Sequence, residues 1–88
     1  MEFGIAMPQS FPDPARIQSF LRRAEELPFA AVWCIEQVIG TAPVLESVTT
    51  LAYAAALTKR LRLGVAVLII PQRNPVELAK TLSTVDVL

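Results

Sequence analysis

Three short, nearly continuous apolar runs constrain the fold of this chain more than any other feature. They cover residues 3–7, 30–35 and 63–70. Apolar runs without alternation are typical of strands that are covered on both faces, as in a parallel sheet. The runs recur at about the thirty-residue spacing that a βαβ unit needs. The sequence therefore predicts an α/β chain with the order β-α-β-α-β-α.

Helical patterns fill the segments between and after these runs. Each predicted helix has apolar residues at helical spacing, and each begins or ends at a proline, a polar capping residue or a cation. Proline is expected in the first turn and cannot continue the ladder further on. The first helix is predicted to start at Asp13 and Pro14 and to stop at Pro28. The second is predicted to start at Ala42 and Pro43 and to run to Thr58-Lys59-Arg60. The third is predicted to start at Asn74 and Pro75, with Glu77 three residues after the cap.

Composition and charge exclude several classes of protein. The chain is 53% apolar and only 18% charged, which excludes a disordered polymer. Eight basic residues balance eight acidic ones, so no basic stripe indicates nucleic acid and no cationic face indicates a membrane surface. The chain has no histidine, so a histidine-based triad or zinc site is excluded within it. The single cysteine, Cys34, has no partner for an internal disulfide, and a reducing, cytoplasmic location is expected.

Length adds a further constraint. A free chain of 88 residues hides roughly 60–65% of its unfolded surface, and this one is unusually apolar for that size. Its three glycines are Gly4, Gly40 and Gly64, which cannot form a dinucleotide-binding or P-loop motif. A small flavodoxin-like domain is also disfavoured, because that fold needs about five strands.

Ligands of parallel α/β folds bind at the carboxyl ends of the strands. Glu36 and Gln37 follow the second run, where the carboxylate is either a base or substrate-orienting group, or an ordinary solvated loop residue. Arg73 is either an anion contact or a solvated loop residue. Ala66 and Val67 are a further candidate, because small residues there either let a flat ligand approach the backbone or simply pack within the strand. Met7 either lines an apolar ligand site or fills the core. Cys34 and Trp33 are expected in the core.

The sequence resembles the luciferase-like monooxygenase superfamily. The resemblance rests on LAYAAALTKRLRLGVAVLIIPQRNPVELAKTLSTVDVL at residues 51–88, preceded in order by MEFGIAMPQ and AAVWCIEQ. It implies a (β/α)8 TIM barrel, of which residues 1–88 would be an incomplete N-terminal segment supplying about the first three βα units. It also implies that the full-length protein is an oxidoreductase that uses reduced FMN or a deazaflavin coenzyme for hydride transfer or oxygenation of a small organic substrate. The 88 residues alone are expected to be inactive.

The resemblance also assigns site residues. It places Glu36 and Gln37 in the catalytic site, Ala66 and Val67 at a non-prolyl cis peptide that bulges against the flavin ring, and Met7 on the wall of the cofactor pocket. Many relatives carry histidine where this chain has Gln37. A glutamine amide cannot act as a general base at neutral pH, which puts luciferase-type proton transfer in doubt.

Two other features follow from the same resemblance. Relatives usually have glycine where this chain has Pro28, so the first helix must end differently. Helices two and three often form a homodimer contact in the family. Here a small face of Ala52, Ala55 and Ala56 suits either that contact or packing on the chain's own sheet. The alternative to an enzyme is a non-catalytic truncated βα fragment or an assembly module.

Overall fold

The computed structural model describes all 88 residues and has the predicted alternation of strands and helices. The three strands form one parallel sheet in the order β1-β2-β3, with Ile5 opposite Val32 and Val32 opposite Leu63. The α/β prediction is confirmed. The elements are β1 (Gly4–Ala6), α1 (Pro14–Glu26), β2 (Ala31–Cys34), α2 (Ser47–Leu57), β3 (Arg62–Val65), a 3₁₀ turn (Ile70–Gln72) and α3 (Pro75–Val87).

Two helices begin where their caps predict. The Asp13 carboxylate accepts a hydrogen bond from the Ala15 amide at 3.0 Å, and proline follows in the first turn of α1. The Asn74 side chain accepts from the amides of Val76 and Glu77 at 2.9 and 3.2 Å. Each cap satisfies amides that have no partner within the helix, which explains why these local signals sufficed.

The predicted start of α2 at Ala42 and Pro43 is wrong. The helix begins at Ser47, and Glu46 is its capping residue. The preceding segment is extended because it pairs with the loop after β1. Val44 forms an antiparallel bridge with Ser10, and the Phe11 amide donates to the Pro43 carbonyl at 3.0 Å.

The end of α1 confirms that Pro28 requires an unusual termination. The helix stops at Glu26, and Leu27 is extended rather than left-handed. The guanidinium of Arg60 then donates to carbonyl oxygens at this end of the helix, over distances of 2.5 to 3.1 Å. A side chain from the connection between α2 and β3 thus supplies the partners that a glycine cap would otherwise provide. The four carbonyls belong to Ala24, Glu25, Leu27 and Phe29.

The core lies on one face of the sheet, between the strands and helices α1 and α2. Its buried members are Met7, Ile17, Leu21, Ala24, Val32, Cys34, Leu51, Ala54 and Leu61. The opposite face has no helix on it, so the expectation of strands covered on both faces is not met in this chain. Helix α3 has no buried residue, and no helix has the length and hydropathy needed to cross a membrane.

Trp33 lies on this uncovered face, and its assignment to the core is wrong. Its side chain is 42% exposed, because it alternates with Val32 and Cys34, which face the helices. The indole covers Gly4 and Gly64 of the two neighbouring strands. A Cβ at either glycine would lie 2.4 Å from the nearest ring atom, so the indole keeps this position only while both residues are glycine.

Candidate functional site

The loops that follow β2 and β3 meet at the carboxyl edge of the sheet. Together with the start of α2, they enclose an open pocket of about 700 Å³. The pocket therefore brings Glu36 and Gln37, predicted at the end of the second strand, together with Arg73 from the connection after the third strand. The pocket residues are Glu36, Gln37, Val38, Val44, Glu46, Ser47, Gln72 and Arg73.

Glu36 is almost enclosed by the chain. Its side chain is 4% exposed. One carboxylate oxygen accepts from the Ser47 hydroxyl at 2.9 Å and from the Arg73 guanidinium, and the other accepts from the Ile69 amide. This geometry excludes the solvated loop carboxylate that the sequence left open. It joins the start of α2 and the connection after β3 to the end of β2.

Arg73 is largely buried and paired with carboxylates of the chain. Its side chain is 20% exposed and lies between two carboxylates, those of Glu36 and Glu46. The guanidinium is 2.6 Å from a Glu46 oxygen and 3.3 Å from the Ser47 hydroxyl. The Nε atom is buried without a hydrogen-bond partner. The positive charge of Arg73 is thus balanced by carboxylates of the chain itself.

Glu46 has two roles, as helix cap and as partner of Arg73. Its carboxylate accepts from the amides of Val48 and Thr49 at 3.1 and 2.7 Å. Burial acts to raise the pKa of Glu46, but hydrogen bonds from Thr49 and Val48 outweigh it and hold the pKa below its usual value. Glu46 is therefore ionised at neutral pH and remains a stable partner for the guanidinium.

Gln37 lines the pocket with a partly exposed amide side chain. The side chain folds over Gly40, where a Cβ would lie 1.3 Å from the amide nitrogen. Gly40 is therefore required for this placement. An amide at this point can donate and accept hydrogen bonds but cannot take up a proton at neutral pH.

Ala66 and Val67 lie directly after β3. The Ala66 amide donates to the Cys34 carbonyl at 2.8 Å, and the Ala66–Val67 peptide bond is cis, as the resemblance implies. Val67 is 78% exposed. The predicted continuation of the strand to residue 70 is wrong. The chain turns instead, with the Ile70 amide donating to the Leu68 carbonyl and the 3₁₀ turn following.

Met7 belongs to the core rather than to the pocket lining. Its side chain is 5% exposed and packs in the cluster with Ile17 and Leu21. The structure thus agrees with the second interpretation of this residue, as core filler. The Met7 amide donates to the Trp33 carbonyl at 2.8 Å, which extends the pairing of β1 and β2 by one residue.

Gln9 is a residue whose role the sequence did not reveal. It is 1% exposed, and its side-chain amide bonds the backbone of Ile35 and of Leu45. The only available signal is a polar residue two positions beyond the first apolar run, and it does not distinguish burial from exposure.

Cys34 is buried, as predicted. Burial, with a contribution from the charge of Glu46, raises the pKa of its thiol to about 11. The thiolate that reacts as a nucleophile is therefore absent at neutral pH. No group of three acidic, cysteine or histidine side chains is placed to hold a metal ion.

Comparison with protein families identifies the chain. Residues 1–88 match the family described as luciferase-like monooxygenase. The chain belongs to this family. The match confirms the resemblance seen in the sequence and includes all three stretches on which that resemblance rests. No curated protein matches the chain at a significant level. Membership in the luciferase-like monooxygenases indicates an enzyme, and this family generally uses a reduced flavin or deazaflavin.

Proposed function

We propose that residues 1–88 form the first three βα units of a (β/α)8 barrel oxidoreductase. It would use reduced FMN or a deazaflavin coenzyme to reduce or oxygenate a small organic substrate. The family match over the whole chain carries this proposal.

The uncovered face of the sheet supports the barrel. Strands of a TIM barrel carry helices on the outside and pack side chains against one another on the inside. Here Trp33, Gly4 and Gly64 lie on the face that has no helix, and the indole is 42% exposed. Further strands that closed the sheet would enclose this face.

The carboxyl edge has residues that suit a flavin-type ring. Such a ring needs a flat apolar surface beside a few well-placed polar groups. Ala66 and Val67 are small, apolar and exposed, and the amide of Gln37 lines the neighbouring pocket. We assign Ala66 and Val67 to cofactor contact and Gln37 to hydrogen bonding with cofactor or substrate. Met7 would support this edge from the core side.

A reduced cofactor of this kind supplies a hydride or reacts with oxygen. The task of the chain is then to bind and orient, because Gln37 cannot move a proton as the family's histidine would. Proton transfer in the complete protein would need a group other than Gln37.

The proposal is tested by titrating the purified full-length protein that contains residues 1–88 with oxidised FMN and, separately, with an oxidised deazaflavin. Saturable changes in the absorbance of one of them are expected. Absorbance spectra that match the free cofactor at every protein concentration, for both compounds, would contradict it.

We also propose a homodimer through α2 and α3. Ala52 and Ala56 are exposed and point away from the sheet, while Ala55 is half-buried. Small exposed residues let a second helix approach closely. Light scattering should give a dimer for the purified protein and a monomer for Ala56→Arg. A monomeric wild-type protein would overturn the proposed interface.

A further inference from the structure

Glu36 resembles a catalytic carboxylate by position, but its surroundings indicate another role. A general base must have a free lone pair directed at the substrate. Both oxygens of Glu36 accept hydrogen bonds from the chain itself, and the side chain is 4% exposed. The donors also come from two separate segments, the start of α2 and the connection after β3.

These donors hold the segment that follows the proposed cofactor contacts. The Ile69 amide lies two residues beyond Val67 and donates to Glu36. Arg73, six residues beyond Val67, donates to the same carboxylate. Glu36 therefore fixes residues 69–73 at two points against the end of β2. Residues 66 and 67 are held between these contacts and the hydrogen bond from Ala66 to Cys34.

We propose that Glu36 is a positioning residue that acts through Ile69 and Arg73, and that it does not transfer protons. It keeps the edge formed by Ala66 and Val67 in place before any ligand arrives. The group that touches the bound molecule beside it is the amide of Gln37. This inference rests on the proposed function for what binds at that edge, but the holding role itself is independent of it.

The same contacts explain why a charged carboxylate is needed. Ser47, Ile69 and Arg73 all present donors, so an amide in place of the carboxylate would set an N–H group against another N–H or O–H group. Glu36→Gln keeps the size of the side chain but loses part of its hydrogen bonds with these three donors. Glu36→Asp keeps the charge and should restore some of them.

The test combines hydrogen exchange with cofactor binding and turnover. In the purified protein, Glu36→Gln should speed amide exchange in residues 66–73 and weaken cofactor binding about tenfold, the size expected for a lost charged hydrogen bond. Arg73→Gln should do the same, and the double variant should lose less than the sum of the two. Glu26→Gln, on the exposed side of α1, is the matched control and should leave exchange in residues 66–73 unchanged.

The pH profile separates positioning from base catalysis. A positioning role predicts that Glu36→Gln keeps the shape of the turnover profile, and that Glu36→Asp recovers part of the binding. Two results for Glu36→Gln would overturn the inference. One is unchanged amide exchange in residues 66–73 together with loss of the acid limb of the turnover profile. The other is unchanged exchange together with unchanged cofactor binding. A wild-type protein that binds neither cofactor would instead refute the proposed function. The holding role would then be decided by exchange alone, and normal exchange in Glu36→Gln would overturn it.

Discussion

The side chain of Gln9 pairs with the backbone of Ile35 as a neighbouring strand would. Its amide oxygen accepts from the Ile35 N–H at 2.6 Å, and its nitrogen donates to the Ile35 carbonyl at 3.0 Å. The nitrogen also lies 3.3 Å from the Leu45 carbonyl. One buried amide thus joins the ends of β1 and β2 to the segment before α2.

Gln9→Glu should destabilise the protein. The substitution replaces a buried donor by an oxygen that faces the carbonyls of Ile35 and Leu45, and it introduces a charge. A loss of about 2–4 kcal/mol in the free energy of unfolding is expected. Urea unfolding measures it, with Gln18→Glu as control, since the Gln18 amide makes only an exposed contact with Tyr53. Equal stability of the two variants would refute the role given to Gln9.

Arg60→Gln should weaken the end of α1. The guanidinium donates to four carbonyls there, and glutamine has neither the reach nor the number of donors to replace it. Because three of these four contacts are exposed to solvent, a loss of only about 1 kcal/mol in unfolding free energy is expected. Arg62→Gln is the matched control, because Arg62 forms only an exposed pair with Glu2 and should change stability by less than about 0.5 kcal/mol.

Glu25 should make stability depend on pH. Burial acts to raise its pKa, but hydrogen bonds from the amides of Leu61, Lys59 and Arg60 outweigh it, so the pKa of Glu25 lies below its usual 4.5. A lowered folded-state pKa means that its contribution is complete above about 4.5 and is lost as the pH falls through the folded-state value.

Unfolding free energies measured between neutral and strongly acidic pH test this dependence. Glu25→Gln should be less stable than wild type at neutral pH, and the difference should shrink as the solution becomes acidic. The control is Glu26→Gln, which removes only an exposed pair with Arg23. A constant difference between Glu25→Gln and wild type across the range would contradict the assignment.

Gly64→Ala should displace the indole of Trp33. The added Cβ would lie 2.4 Å from the ring, so the ring must move. Trp33 is the only tryptophan, and its fluorescence spectrum should therefore shift on substitution. Trp33→Ala should relieve the clash, and the destabilisation by Gly64→Ala should be smaller in that background. Equal destabilisation in both backgrounds would show that the ring is not the obstacle.

Local signals account for the parts of the fold that the sequence predicted correctly. The starts of α1 and α3 follow from Asp13 and Asn74, whose side chains bond amides two or three residues away. The start of α2 was missed because residues 42–46 are held extended by the loop after β1, through Ser10 and Phe11. A proline at position 43 is compatible with both a helix start and an extended segment, so it does not distinguish the two.

The site shows the same division between near and distant contacts. The rule that ligands bind at the carboxyl ends of parallel strands correctly predicts Glu36 and Gln37 at the pocket. It does not predict which groups surround Glu36. Its partners Ser47, Ile69 and Arg73 lie 11 to 37 residues away in the chain. Trp33 was assigned to the core because a run that is apolar throughout does not show which residues face the helices.

Cofactor binding by a variant of Val67 tests the central claim most directly. Val67 and Val76 are 78% and 76% exposed, so tryptophan fits at either position without disturbing the core. Dissociation constants for reduced FMN and the reduced deazaflavin are measured without oxygen for the full-length wild-type protein and for its Val67→Trp and Val76→Trp variants. We predict tight, saturable binding of one cofactor by wild type and Val76→Trp, weakened at least tenfold in Val67→Trp. Absence of binding to either cofactor by the wild-type protein, or equal affinity in all three, would contradict the account.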